Sequence, residues 1–234
     1  MFSGPFDYSI IKRALVENIA EINFVDLRDF GIGRHKSVDD KPFGGGAGMI
    51  LRVDVVKDAI DKTLDPKFKK GEQKIVLLSA GASSFNQEKA EEYSKLLHLI
   101  IICGHYEGID ARIKEYIDEE ISIGDFILTG GEIPAMIITD SVVRLLKGVL
   151  KENVTNLESF SGQDRYLEYP QYTRPSIFNK KKVPGILLSG NHQKIDDWRK
   201  DKSIAHTKKI RPDLIKKIKT EKNLQNPLTP QKTH

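Results

Sequence analysis

Ser122-Ile-Gly-Asp-Phe-Ile-Leu-Thr-Gly-Gly-Glu-Ile-Pro-Ala135 sets two apolar bursts, 121–123 and 126–128, on either side of a Gly-Asp turn. It then runs through Gly130-Gly131 toward a helix beginning near Pro134. Bursts this short between turn residues read as buried strands. A second Gly-punctuated turn, Cys103-Gly-His-Tyr-Glu-Gly-Ile-Asp110, follows an apolar strand expected over 99–102. Glycines where strand ends meet helix starts let a ligand lie directly against backbone amides. Two such turns in one α/β domain point to a cofactor pocket built mainly from main chain.

Working outward, residues 8–22 carry Ile10, Ile11, Leu15, Ile19 and Ile22 at helix spacing. Residues 23–27 read as a short strand leading into a polar, Gly-containing loop over 28–48. The pattern predicts helices over 53–64, 87–97, 109–117 and 133–146, and a strand over 75–78. Such alternation predicts an α/β fold, a parallel sheet with helices on both faces. After Val149 the periodicity lapses, and residues 151–174 have the length of a functional or mobile linker. Beyond it lie an apolar segment at 186–188, basic helices near 193–202 and 212–219, and a frayed end over 226–234.

The chain of 234 residues, 39% hydrophobic, can bury a substantial core. No apolar run approaches a membrane span, and Met1-Phe-Ser-Gly-Pro-Phe-Asp7 lacks the blocks of a signal peptide. Cys103 is the one cysteine, which excludes an internal disulfide and a Cys-based metal cage. A soluble, cytoplasmic protein is the simple reading. The net charge of +4 conceals an asymmetry: residues 180–222 hold 14 Lys/Arg against 5 Asp/Glu, the remainder 23 against 28. A basic appendage on a mildly acidic domain suits a polyanion, although a solubilising helical tail has the same composition.

Five motifs stand in order along the chain. They are Phe43-Gly-Gly-Gly-Ala-Gly-Met49, the 103–110 turn, the 122–135 stretch, Tyr172-Thr-Arg-Pro175 and Leu187-Leu-Ser-Gly-Asn-His192. Residues 44–48 lack the Gly-Lys-Ser/Thr ending and the third glycine of the standard phosphate signatures. Each motif alone is weak. Together, over residues 1–211, they closely resemble the bacterial tRNA (guanine-N1)-methyltransferases, which modify the guanosine just 3′ of the anticodon, tRNA position 37. The resemblance implies a SPOUT-class α/β domain ending in a deep trefoil knot, a rare exception to unknotted connectivity. It implies S-adenosylmethionine bent within that knot, a homodimer with its active site at the subunit interface, tRNA as partner and no membrane association. Residues 1–150 would form the knotted cofactor-binding domain, 151–174 a flexible linker carrying the catalytic acid, and 175–234 a small basic helical domain gripping tRNA. The family's dependence on magnesium implies Mg²⁺ near the substrate. No cluster has protein-only ligand spacing, so such an ion would keep waters.

Carried over by motif, the cofactor pocket uses Leu78, Ser79 and Ala80, then Gly104, Tyr106, Glu107 and Gly108. It continues through Ile123, Gly124, Asp125, Phe126, Ile127 and Leu128, and closes with Gly130, Gly131 and Pro134. Any one of these glycines alone would be an ordinary turn residue. Guanine N1 carries a proton, so methyl transfer needs a base at N1 and a cation or donor for the charge growing on O6. The resemblance assigns Glu158 as base and Arg144 as O6 stabiliser. An arginine on a helix and an acid in a linker are otherwise usually just solvated or ion-paired. Glu107 could alternatively orient the sulfonium or bind a cation. RNA contacts are expected from Gly46, Gly48, His105, Arg174, His192 and Arg199, with Trp198 favoured as a core anchor of the small domain rather than a stacking platform.

Three departures from the family stand out. The family opens with a short apolar strand and a Phe-Pro-Glu-Met-Phe turn, of which this chain carries only the last Met-Phe, so the first strand is expected to be missing. Ala80 and Ala82 occupy the Pro and Gly positions of a Ser-Pro-x-Gly loop. Glu158 stands where aspartate is usual, moving the carboxylate by about 1 Å. Two alternatives therefore stay open: a catalytically impaired RNA-binding relative, and a knotted methyltransferase with another RNA target.

Overall fold

The computed structural model describes residues 2, 4–151, 154–162 and 164–216. The chain divides into two compact units, residues 1–151 and 152–234.

In the first unit, β3 (Gln73–Ser84) is the middle strand of a parallel sheet between β4 (His98–Ile102) and β5 (Glu119–Ser122). Two small strands, β1 (Asp39–Asp40) and β2 (Ile50–Leu51), pair antiparallel outside it. Successive side chains of a strand point to opposite faces, and both faces of β3 are used. Ile75 and Leu77 join Ile100 and Ile102 under Val55, Val56 and Ile60 of α2 (Val53–Thr63). Val76 and Leu78 join Ile121 under Tyr93 of α3 (Gln87–Tyr93) and Ile138 and Val142 of α4 (Glu132–Val143). Val76, Ile121 and Ile138 are fully enclosed, each contributing about 1.5–3 kcal/mol relative to exposure. The sheet expected from sequence, with helices on both faces, is present.

Local chemistry explains the boundaries. α1 (Ser9–Val16) stops short of the helix expected to 22, because Asn18 turns left-handed and the Ile19 and Ala20 amides fold back to the Ala14 carbonyl. α3 starts where Asn86 accepts the Lys89 amide, and ends at Tyr93 rather than 97. The helix expected over 109–117 is a 3₁₀ helix, Ala111–Tyr116, started by the Asp110 carboxylate.

Two expected strands are absent. Residues 23–27 form no strand; the Phe24 ring stacks on Phe2 and Phe6 at 4.8 and 6.1 Å. Residues 126–128 are also irregular, with Ile127 83% exposed, so apolar character there marks a surface and not a core strand. Beyond the middle of β3 the ladder breaks: Leu78 and Ser83 both sit opposite Ile121, so 79–82 bulge out of register.

In the second unit, a hairpin joins β6 (Ile177–Phe178) to β7 (Lys181–Lys182) through Asn179 and Lys180, both left-handed as a two-residue hairpin turn requires. A 3₁₀ turn covers Gly185–Leu188. α5 (His192–Ile210), capped by Asn191, extends past the helix expected at 193–202 and stops before Pro212. The second basic helix is described over 212–216; residues 217–219 and the frayed end expected over 226–234 lie outside the described residues. Thr207, fully buried, donates to the Ser203 carbonyl at 2.8 Å and accepts the Leu167 amide at 2.8 Å. That bond fastens the segment after Glu158 to α5.

A charge network ties β3, β5 and α3 together. Lys89 reaches Glu119 at 2.8 Å and Glu92 at 3.0 Å, while Lys74 reaches Glu119 at 2.9 Å and also pairs with Glu92. Burial pushes the Glu119 carboxyl up, but hydrogen bonds from Lys89 and Lys74 outweigh it and hold the group below its ordinary 4.5. Hydrogen bonds from Lys74 and Lys89 likewise lower Glu92, and both lysines are held above 10.5. The stability these depressed carboxyls contribute is fully present above 4.5 and is lost as the pH falls through their lower folded values. Glu119→Gln should therefore cost about 1–3 kcal/mol at pH 7, between exposed and fully buried pairs. Melting curves of wild type and variant should converge toward pH 3; a gap independent of pH would contradict this account.

Candidate functional site

The first unit's glycine turns meet back to back. The Gly131 amide donates to the Gly104 carbonyl at 2.7 Å, and His105 pairs with Gly130 as an antiparallel bridge. A Cβ on Gly131 would stand 2.7 Å from Cys103 Cα and 2.8 Å from the Gly104 nitrogen, so no other residue fits without moving backbone. Gly104 is also tight, 3.3 Å from the Leu78 carbonyl by the same measure. The end of the β3 core, the 103–108 turn and the start of α4 thus converge. Leu78 and Pro134 are buried and Ser79 is half-buried, whereas Ala80 is exposed in the bulge.

The loop 43–49 closes on the same turn. The Glu107 amide donates to the Met49 carbonyl at 3.1 Å, and Leu51 exchanges hydrogen bonds with Gly108 and Asp110 at 2.9 and 3.0 Å. Gly48 lies against the Glu107 side chain, where a Cβ would come within 2.6 Å of Cγ. Gly48, expected to contact RNA, is therefore beside the turn expected to hold cofactor, while Gly46 meets only Pro42. His105 accepts the Tyr106 amide on Nδ1 at 3.0 Å, and its ring meets the Tyr106 ring edge-on at 4.9 Å.

Around this junction the surface is apolar. Tyr106 is about half exposed, Phe126 and Ile127 more than half, and Leu128 is 38% exposed. Ile123 and Gly124 are half-buried and Asp125 is exposed. The Cys103 thiol is pushed up to about 12 by burial and then by Glu132, so it is neutral and unreactive near pH 7. The arrangement offers main-chain groups, apolar walls and no activated nucleophile, which is what binding a flat, polar-edged ligand requires. Among the described residues no group of three or more His, Cys, Asp or Glu could hold a metal ion, so the expected magnesium finds no protein cage.

The remaining candidates belong to other elements. Arg144 is half-buried at the C-cap of α4, the end opposite the glycine turns. Glu158 belongs to the second unit, half-buried at the end of a 3₁₀ turn, Thr155–Leu157. Its carbonyl accepts the Ser161 amide at 3.2 Å. Arg174 and His192 are exposed, and Arg199 is half-buried on α5.

Comparison with known proteins shows the family. A family model, tRNA (Guanine-1)-methyltransferase TrmD, matches residues 1–217. The chain belongs to this family. A curated tRNA (guanine-N(1)-)-methyltransferase of Dictyoglomus turgidum is 49% identical over 226 residues, 96% of this chain and 90% of the relative. One from Clostridium botulinum (strain 657 / Type Ba4) is 50% identical over 94% and 89%. One from Carboxydothermus hydrogenoformans is 51% identical over 92% and 83%. No helix among the described residues is long and apolar enough to cross a membrane.

Sequence reading missed two contributors to the glycine junction. The Ser122 hydroxyl donates to the Gly124 carbonyl at 3.0 Å and accepts its amide at 3.2 Å, holding Gly124 at φ +150°. Ser-x-Gly is a recognisable turn signal. The Met49 carbonyl, by contrast, has no signal in sequence. Gly131→Ala should cost about 1–3 kcal/mol through overpacking, Gly104→Ala less, and Gly81→Ala, with open space around it, least. Denaturant unfolding measures all three; equal costs would contradict the close approach at Gly131.

Proposed function

We propose that the chain transfers the methyl group of S-adenosylmethionine to N1 of guanosine 37 in tRNA, giving N1-methylguanosine. The observation that carries this reading is the docking of the 103–108 and 122–131 turns, in a chain whose family match spans 1–217. The fit to the cofactor rests on main-chain groups of 104–108 and 123–128 and on the half-exposed Tyr106, Phe126 and Leu128 beside them. Leu78, Ser79, Gly130, Gly131 and Pro134 would complete the pocket. A trefoil knot through these turns, and a cytoplasmic location with the substrate, belong to the same proposal.

When bound, S-adenosylmethionine supplies an electrophilic methyl on a sulfonium. The chain's own work is to place guanine N1 in line with that methyl and exclude water. Glu158 accepts the N1 proton, so that the lone pair is available for attack. Arg144 faces O6 and offsets the negative charge that accumulates there as the proton leaves. Residues 1–150 hold the cofactor, 151–174 carry Glu158, and the basic residues from 175 on hold the tRNA. No step is assigned to magnesium.

Arg144 argues for a homodimer. It lies twelve residues along α4 from Glu132, about 18 Å at helical rise, beyond the reach of an arginine side chain to its own chain's glycine turns. A second copy would bring its own Arg144 there. α4 presents Ile133 and Ile137 at 45% and 44% exposure, beside an apolar groove of about 350 Å³ lined by Phe6, Ile11 and Met136. Exposed apolar faces of this kind are covered by partners, and here the partner proposed is a second copy.

Glu158→Gln and Arg144→Ala should each lower labelled-methyl transfer to unmodified tRNA about 10²–10⁴-fold without weakening cofactor binding. Co-expressed, the two variants should recover about a quarter of wild-type activity if each site draws Arg144 and Glu158 from different subunits. Full activity in either single variant would remove that residue from its role, and no recovery on mixing would place Arg144 and Glu158 of each site on one subunit.

A further inference from the structure

The second unit contains a cavity of about 210 Å³ lined by Tyr169, Tyr172, Leu187, Ile195, Trp198 and Arg199. It is smaller than the roughly 300–1,000 Å³ of pockets for drug-sized ligands, and so suits one planar ring system. Leu187 and the buried Ile195 supply an apolar floor. The Tyr172 and Trp198 rings stand 6.4 Å apart at 55°, and Tyr172 is 49% exposed. Trp198 is half-buried, so the residue favoured as a core anchor is also a wall.

Arg199 is the charged residue of the lining. The Arg199 guanidinium lies 5.2 Å over the Tyr169 ring, and Lys202 Nζ lies 5.9 Å from the centre of Trp198. Arg199 Nη1 pairs with Asp196 at 3.1 Å, while its Nε is buried without a hydrogen-bond partner. A buried unpaired donor is costly, and such an exception calls for an explanation. The side chain as a whole is 40% exposed, so a ligand edge carrying an acceptor would meet the terminal guanidinium N–H groups.

We propose that this cavity takes one unpaired base of the tRNA, other than the methylated guanine, stacked against Tyr172 and Trp198 with its edge accepting from Arg199. The proposal rests on the reading of tRNA as substrate. Unpaired RNA bases are held by aromatic and Arg stacking and by hydrogen bonds at their edges. The local excess of Lys/Arg over 180–222 favours a polyanion over a protein side chain as occupant.

Trp198 is the one tryptophan in the chain, so its fluorescence reports on this cavity alone. Full-length protein would be titrated with unmodified tRNA, and with the same tRNA carrying a single abasic nucleotide at each unpaired anticodon-loop position in turn. Intact tRNA should quench Trp198. One abasic position should abolish the quench and weaken binding about 5- to 150-fold. Tyr172→Ala should reproduce that weakening on intact tRNA as a raised KM with kcat changed less than about twofold, and add nothing on the abasic tRNA. Tyr172→Phe, which keeps the ring, should restore binding. A quench indifferent to every abasic position, no quench at saturating tRNA, or wild-type KM in Tyr172→Ala would overturn the proposal. Binding is read without methyl transfer: position-dependent quenching by an inactive protein would sink the proposed reaction and leave the base pocket standing. Methyl transfer without any quench would do the reverse.

Discussion

The contact between Gly131 and the Cys103-Gly104 backbone is the constraint on which the first unit's site depends. At that point two chain segments pass with no room for a single methyl group, joined by a 2.7 Å hydrogen bond. Because α4 begins at the next residue, the contact fixes where the helix starts relative to the sheet's end. The 43–51 segment then fastens to the other side of the 103–110 turn through Met49 and Leu51. Three separate loops become one main-chain surface, rimmed by Tyr106, Phe126 and Leu128. A close-packed interior transmits such a constraint because it cannot deform gradually.

The scaffold behind the site is built to hold that position. β3 buries both its faces, with α2 on one and α3 and α4 on the other. The four-membered charge network locks the start of β3 to the start of β5 and to α3, ahead of the 79–82 bulge. Burial of Glu119 is unfavourable alone and is offset only because two lysines reach it.

Periodic segments were legible in sequence: α2, the core of β3, β4 and α4 follow directly from spacing. Residues 126–128 were misread because an apolar burst between turns looks the same whether it is buried or presented to a ligand or partner. Residues 23–27 were misread for a related reason, since Phe24 stacks on Phe2 and Phe6 instead of entering a ladder. The bulge at 79–82 is invisible in sequence, because it depends on Ile121 facing both Leu78 and Ser83. The glycine junction was readable as two turns, but their mutual docking was not. Roles for Arg144 and Glu158 came from family resemblance and not from spacing. The aromatic cavity was hidden because Tyr169, Tyr172 and Trp198 share no period.

Chemistry at guanine N1 asks little of the protein beyond position, a base and a cation, and a surface made of backbone suits that division of labour. The most direct test is labelled-methyl transfer from S-adenosylmethionine to tRNA transcripts bearing G or A at position 37, followed by nucleoside analysis. The account predicts label in the G transcript alone, recovered as N1-methylguanosine. Label recovered as another nucleoside, equal label in both transcripts, or none in either would contradict it.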